Sequence, residues 1–284
     1  MLTQKTFQGS AVSLNYMEGP PSGAPVLLLH GMTQRWQAFT TLIPQLVVAH
    51  HVFAPDFRGH GLSGRVKDGY RIENYAQDIL EFIEQVIQEP AAIYGHSLGG
   101  LVSIYVAGCR PQMVRGIAIG DSKLFMRHLH SLMFGQLFSK TLDLLRANRD
   151  FDHLKRKVPD MILQSPLYGE VPMRSLPGCD CAYLAAWARS LSYLDPDTLA
   201  MTVDGRAIEN WRPQEFVGKV QCPTLLIQAD PKLGGLMEDE DVKQARELLR
   251  DCLHVRLDGI GHSLQMFQAA PVLRVLSNFF AGVA

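Results

Sequence analysis

Ser97 stands in Gly95-His96-Ser97-Leu98-Gly99-Gly100, between Ala91-Ala92-Ile93-Tyr94 and the apolar run Leu101-Val102-Ser103-Ile104-Tyr105-Val106-Ala107. This pattern predicts a strand, a sharp turn and a helix, with glycines two residues either side of the serine, where a side chain would collide with neighbouring backbone. Such a turn lifts the Ser97 hydroxyl clear of the sheet. It also aims the amino end of the following helix at whatever Ser97 attacks, so the Leu98 N–H and the helix dipole can stabilise a developing oxyanion. A serine nucleophile further needs a base, a group that orients the base, and a second oxyanion donor. Near the end of the chain, Asp258-Gly259-Ile260-Gly261-His262-Ser263 offers His262 on a glycine-rich loop as the base. His30-Gly31-Met32 closes an earlier apolar strand, where Gly31 permits close approach and the Met32 N–H can donate.

These groups meet only if the elements carrying them share one edge of a sheet. Thr6 to Ser10 and Ala11 to Glu18 predict an early hairpin. Val26 to His30 is a short, almost wholly apolar strand of the kind covered on both faces of a parallel sheet. A helix is expected over Gln37 to Val48, a strand over His51 to Asp56 and an amphipathic helix over Asn74 to Gln88. With the Ala91 strand, the helix after Ser97 and a strand from Val114 to Ile119, the order becomes βαβαβ, which implies parallel strands with helices on both faces.

Strand signals then lapse between Ser122 and Arg212, where the pattern predicts helices over Phe125 to Leu145, Asp180 to Leu191 and Asp197 to Met201. The sheet resumes at Pro223 to Gln228, followed by a charged helix over Asp239 to Arg250, a strand over Leu253 to Leu257 and a helix over Pro271 to Phe280. The expected organisation is a core of residues 1–121 and 213–284 interrupted by a helical insertion, 122–212.

Composition narrows the function classes. The 284 residues are 47% hydrophobic and 19% charged with a formal net charge of −1, so no basic footprint for nucleic acid is present. The N-terminus lacks the apolar core of a signal peptide and no apolar run reaches membrane-spanning length, which points to a cytoplasmic protein acting on a small molecule, with neither nucleic acid nor membrane as partner. The five scattered cysteines do not form a disulfide framework, and Cys179-Asp180-Cys181 lacks further ligands at metal spacing, so neither metal nor cofactor is expected. Oligomeric state is not legible.

Taken together, His30-Gly31, Asp56-x-Arg58-Gly59-His60-Gly61-x-Ser63, Gly95-His96-Ser97-Leu98-Gly99-Gly100 and Gly259-x-Gly261-His262 resemble, in order and spacing, the α/β-hydrolase fold family. The resemblance implies Ser97 as nucleophile, His262 as general base, the Met32 and Leu98 amides as oxyanion hole, and the insertion as a helical cap. The Asp56 to Gly64 stretch is expected to tie down a loop rather than take part in chemistry. Family members usually carry the acid just after the strand at Thr224 to Gln228. Asp230 is therefore the expected acid, although Lys232 occupies the commonest position. Asp121, after the Ile117 strand, is the alternative, and Glu238 to Asp241 are expected to cap a helix.

The implied function is hydrolysis of a carboxylic ester, or of a lactone or thioester, with a largely apolar substrate and an acyl-serine intermediate. Carbon–carbon bond hydrolysis and perhydrolysis use the same triad, and a ligand-binding protein that keeps the fold without turnover is the non-enzymatic alternative. Family members that open epoxides or remove halides attack with an aspartate, which Ser97 argues against. Gly31 and Trp36 are candidate substrate contacts, with packing under the loop as the other reading of Trp36. The insertion supplies apolar side chains such as Phe125, Met126, Leu129, Phe134, Tyr183 and Trp187, while Arg127-His128-Leu129-His130 and Lys155-Arg156-Lys157 are expected to be solvated.

Overall fold

The computed structural model describes residues 2–126, 132–165 and 167–283. The Arg127 to His130 stretch lies outside the described residues. Eight strands form one sheet: β1 Thr3–Gln8, β2 Ser13–Glu18, β3 Pro25–Leu29, β4 His51–Pro55, β5 Ala91–His96, β6 Val114–Gly120, β9 Thr224–Ala229 and β10 Cys252–Leu257, in the order β1-β2-β4-β3-β5-β6-β9-β10. The first hairpin and the β2/β4 pair are antiparallel, and every other pairing is parallel. β3, β5 and β9 are buried at every residue, which explains their largely apolar sequences: helices cover both faces, so no position alternates toward water.

One face of the sheet packs with the helices Ile72–Phe82 and Leu98–Cys109 around Leu27, Leu29, Ile93 and Ile117. The opposite face packs Phe39, Leu42 and Ile43 together with Val272, Leu276 and Phe280 from the C-terminal helix Ala269–Val283 around Leu28, Tyr94 and Ile227. From β3 the chain moves outward to β4, then returns to lay β5 on the other side of β3. That reversal opens a crevice at the carboxyl ends of β3 and β5, where open α/β sheets bind ligands.

Between β6 and β9 a third core gathers Leu142, Leu145, Leu154, Trp187, Leu191 and Leu199, with Met32 and Phe267 packed against it from the remainder of the chain. Its helices run over Leu132–Ala147, Phe151–Lys157, Cys181–Tyr193 and Pro196–Val203. Phe125 and Met126, where the first was expected to begin, are not helical. The segment also contains an unforeseen antiparallel hairpin, β7 Ile162–Ser165 and β8 Gly169–Pro172. Each of its strands has four residues, too few for a period-two pattern to stand out. Likewise, the helix expected over Gln37 to Val48 is two short pieces, Trp36–Phe39 and Ile43–Leu46. Among the described residues no helix is long and apolar enough to cross a membrane.

Candidate active site

Ser97 follows β5 with φ 54° and ψ −114°, a left-handed conformation rarely adopted by a non-glycine residue. Bonds on both sides hold it there. Its N–H donates to Gly120 O at 2.9 Å, and its carbonyl accepts from the Ser122 hydroxyl at 2.7 Å and from the Gly100 N–H at 3.0 Å. The flanking glycines are required by contact: a Cβ on Gly95 would run into Gly99 O, and one on Gly99 into Leu29 O. The turn thus presses the start of the Leu98–Cys109 helix onto the end of β3. Gly31 lies so close that a Cβ there would come within 3.2 Å of Ser97 Cβ. The Met32 and Leu98 amides, at the two sides of this junction, make no hydrogen bond to another described backbone or side chain.

His262 donates from Nδ1 to Asp121 Oδ2 at 2.7 Å. Nε2 is then the nitrogen with a free lone pair, and His262 and Ser97 line the same cavity. The carboxylate bonded to His262 is Asp121, the alternative, and not Asp230. Asp230 Oδ1 accepts from the Lys232 N–H at 2.9 Å and Oδ2 from the Gly259 N–H at 3.0 Å, so this carboxylate ties the loop after β9 to the loop after β10. The physical reason is position on the sheet. β6 lies between β5 and β9, and the residue just past its end, Asp121, reaches the His262 ring, whereas both oxygens of Asp230 are already engaged by loop amides.

Asp121 is fully buried at 0% exposure, and burial alone would push its pKa up. The hydrogen bond and charge of His262, with the Leu236 and Met237 N–H groups, outweigh that and hold the carboxyl below its ordinary value. The Ala229 N–H also donates to Oδ1 at 3.1 Å. Behind the imidazole, His96 donates from Nε2 to His262 O at 2.8 Å, its ring centroid 4.7 Å from that of His262. Burial and the neighbouring His262 lower the His96 pKa to about 3, so it remains neutral. Phe134 meets the His262 ring edge-on at 4.9 Å.

The Asp56 to Gly64 loop supports this edge of the sheet. Asp56 accepts from the Trp36 N–H at 2.8 Å and from Asn15 Nδ2 at 2.8 Å, and Arg58 forms a buried two-pronged pair with Asp78. His30 Nε2 accepts from the Phe57 N–H at 3.0 Å, so its Nδ1 must carry the proton donated to Gly31 O. Gly31 lines the cavity beside Ser97. Trp36 does not; its side chain packs against the core on the far face, because its backbone is drawn down to Asp56. Glu238 and Asp241 form a capping box at the Asp239–Leu248 helix and pair with Lys123, away from the imidazole.

Two cavities lined by described residues border Ser97, and neither was legible in the sequence. One of about 130 Å³ includes His262, Trp187 and Tyr183, and one of about 650 Å³ includes Leu98, Leu101 and Tyr75. Phe134 and Phe138 from the segment between β6 and β9 border both.

Known proteins resemble this chain to different extents. The chain is 36% identical over 110 residues to the serine hydrolase-like protein of Danio rerio, covering 38% of this chain and 34% of that one. It is 27% identical over 247 residues to the soluble epoxide hydrolase of Corynebacterium sp. (strain C12), covering 77% and 83% of the two chains. The chain spans about a third of the length of the first curated relatives it matches. Its fold superposes on the solved structure of E-2-(acetamidomethylene)succinate hydrolase with a TM-score of 0.77 at 21% identity, over 99% of this chain and 100% of the other. A model of the alpha/beta hydrolase fold matches residues 24–269, and the chain belongs to that family.

Proposed function

We propose that this protein is a cofactor-independent serine hydrolase that cleaves a carboxylic ester of a small, largely apolar molecule, lactones and thioesters being reached by the same acyl chemistry. The observation that carries this reading is the Asp121–His262 hydrogen bond beside a left-handed Ser97. Ser97 Oγ attacks the carbonyl carbon as His262 Nε2 takes its proton, and the buried Asp121 carboxylate fixes the imidazole tautomer and stabilises the imidazolium. The oxyanion develops toward the Met32 and Leu98 amides, donors of a type worth about 3 kcal/mol each in transition-state stabilisation. His262 then protonates the leaving oxygen, and water activated by the same nitrogen releases the acyl group from Ser97.

In this scheme residues 122–212 act as a cap that excludes water and shapes the pocket, consistent with the Phe134 and Phe138 side chains that border both cavities. The serine at the turn favours acyl transfer over the carboxylate attack by which family members open epoxides. Labelling with a fluorophosphonate probe, followed by peptide mapping, is expected to place the adduct on Ser97 and to vanish in Ser97→Ala. An unlabelled native protein that also fails to turn over simple esters would refute the hydrolase reading and favour the ligand-binding alternative.

A further inference from the structure

The two cavities differ in a way that bears on the substrate. The cavity of about 130 Å³ borders His262, Cys179, Tyr183 and Trp187. The cavity of about 650 Å³ borders Leu98, Leu101, Ile72 and Ile208, and His262 is not on its wall. Ser97 and Met32 border both. We propose that the smaller cavity receives the alcohol portion and the larger one the acyl chain, so that the preferred substrates join a bulky apolar acyl group to a small alcohol. This inference rests on the serine hydrolase reading.

The path of the proton distinguishes the two cavities. In the first half-reaction the Ser97 Oγ–carbon bond forms and the bond from that carbon to the alcohol oxygen breaks. The proton from Oγ passes to His262 Nε2 and then to the departing oxygen. That oxygen must therefore come within about 3 Å of Nε2, which confines the alcohol to the cavity His262 borders. The acyl carbon stays on Oγ with its oxyanion toward the Met32 and Leu98 amides, and its chain then extends past Leu98 into the larger space. Water afterwards takes the alcohol's place beside Nε2, and the acid product leaves from the larger cavity.

The smaller cavity is held at its size. Trp187 Nε1 donates to Thr33 Oγ1 at 2.9 Å, and the Tyr183 hydroxyl lies 3.3 Å from Ser263 Oγ, so two of its aromatic walls are anchored to the loops beside the site. It has about one fifth of the volume of the larger cavity. The larger cavity falls in the range of about 300 to 1,000 Å³ typical of whole small-molecule ligands.

Two ester series titrated by pH-stat with the full chain test the assignment. Methyl esters from acetate to octanoate are expected to show kcat/KM rising at least tenfold. Butyrates from methyl to octyl are expected to show it falling at least tenfold. Ile208→Trp, which fills the larger cavity, is expected to lower the octanoate-to-acetate ratio about tenfold, and Leu176→Ala, which widens the smaller one, to raise the octyl-to-methyl ratio. Ratios taken within one variant cancel any loss of folded protein. Turnover with the opposite or no chain-length trends, or ratios unmoved by both substitutions, overturns the assignment while leaving the hydrolase reading intact. Absence of all ester turnover together with an unlabelled Ser97 removes both.

Discussion

At the residue scale, the two carboxylates that the sequence offered to His262 have opposite surroundings. Asp121 is buried, receives three backbone N–H groups and contacts the imidazole, whereas Asp230 is only partly buried and bonded to loop amides. Asp121→Asn is thus expected to lower kcat by about 10⁴, the effect of losing the correct histidine tautomer in a serine triad. Asp230→Asn is expected to cost less than tenfold in kcat, with a small loss of stability from the slackened loop. Steady-state kinetics on one short ester checks both, and a larger loss for Asp230→Asn would return the acid to that position. A histidine's partner was not decidable from local pattern, since both aspartates follow apolar strands and 141 residues separate Asp121 from His262.

At the element scale, the turn around Ser97 was legible because its requirements are local. Gly95, Gly99 and Gly100 are packed against backbone or side chains of neighbouring elements, and any strand-to-helix turn this tight imposes the same restriction on the sequence. A methyl group on Gly99 would displace the Leu29 carbonyl at the end of β3. Gly99→Ala is accordingly expected to destabilise the protein by about 2–4 kcal/mol and to abolish ester turnover. Gly218→Ala, with open space around the new carbon, should leave the melting temperature within a degree or two or raise it slightly. Differential scanning calorimetry of the pair distinguishes backbone collision from a general glycine effect; equal melting temperatures would show that the turn relaxes. The β7/β8 hairpin and the two short pieces after Trp36 lacked such local markers, which is why periodicity alone misassigned them.

At the scale of the whole molecule, the three most deeply buried histidines, His30, His60 and His96, make stability depend on pH. Burial, the largest cause in each case, lowers the pKa of His30 to about 4, of His60 to about 3 and of His96 to about 3. In the unfolded chain these groups titrate near 6.5. Below that value the unfolded state binds more protons than the folded one, so the stabilisation present above about pH 6.5 is lost as pH falls toward the folded values. Each group contributes a slope of up to about 1.4 kcal/mol per pH unit within that window. Asp121, held below its ordinary value, adds a further loss under about pH 4. Urea unfolding between pH 7 and pH 4.5 is expected to show stability falling steeply for the native sequence and less steeply for His60→Gln; parallel curves would mean that His60 accepts its proton in the folded state.

The sequence by itself determined the family, the parallel sheet, the strained serine turn and the histidine loop, because each rests on steric or apolar requirements satisfied within a few consecutive residues. Only the tertiary structure decided which carboxylate reaches the imidazole, where Trp36 points and how space is divided around Ser97. Those outcomes depend on strand order and on side chains from segments far apart in the chain meeting at one edge of the sheet: Asp121 from the end of β6, His262 from the loop after β10, and Phe134 from the helix between β6 and β9. No local pattern carries that information, since the same residues on a different strand order would meet different neighbours.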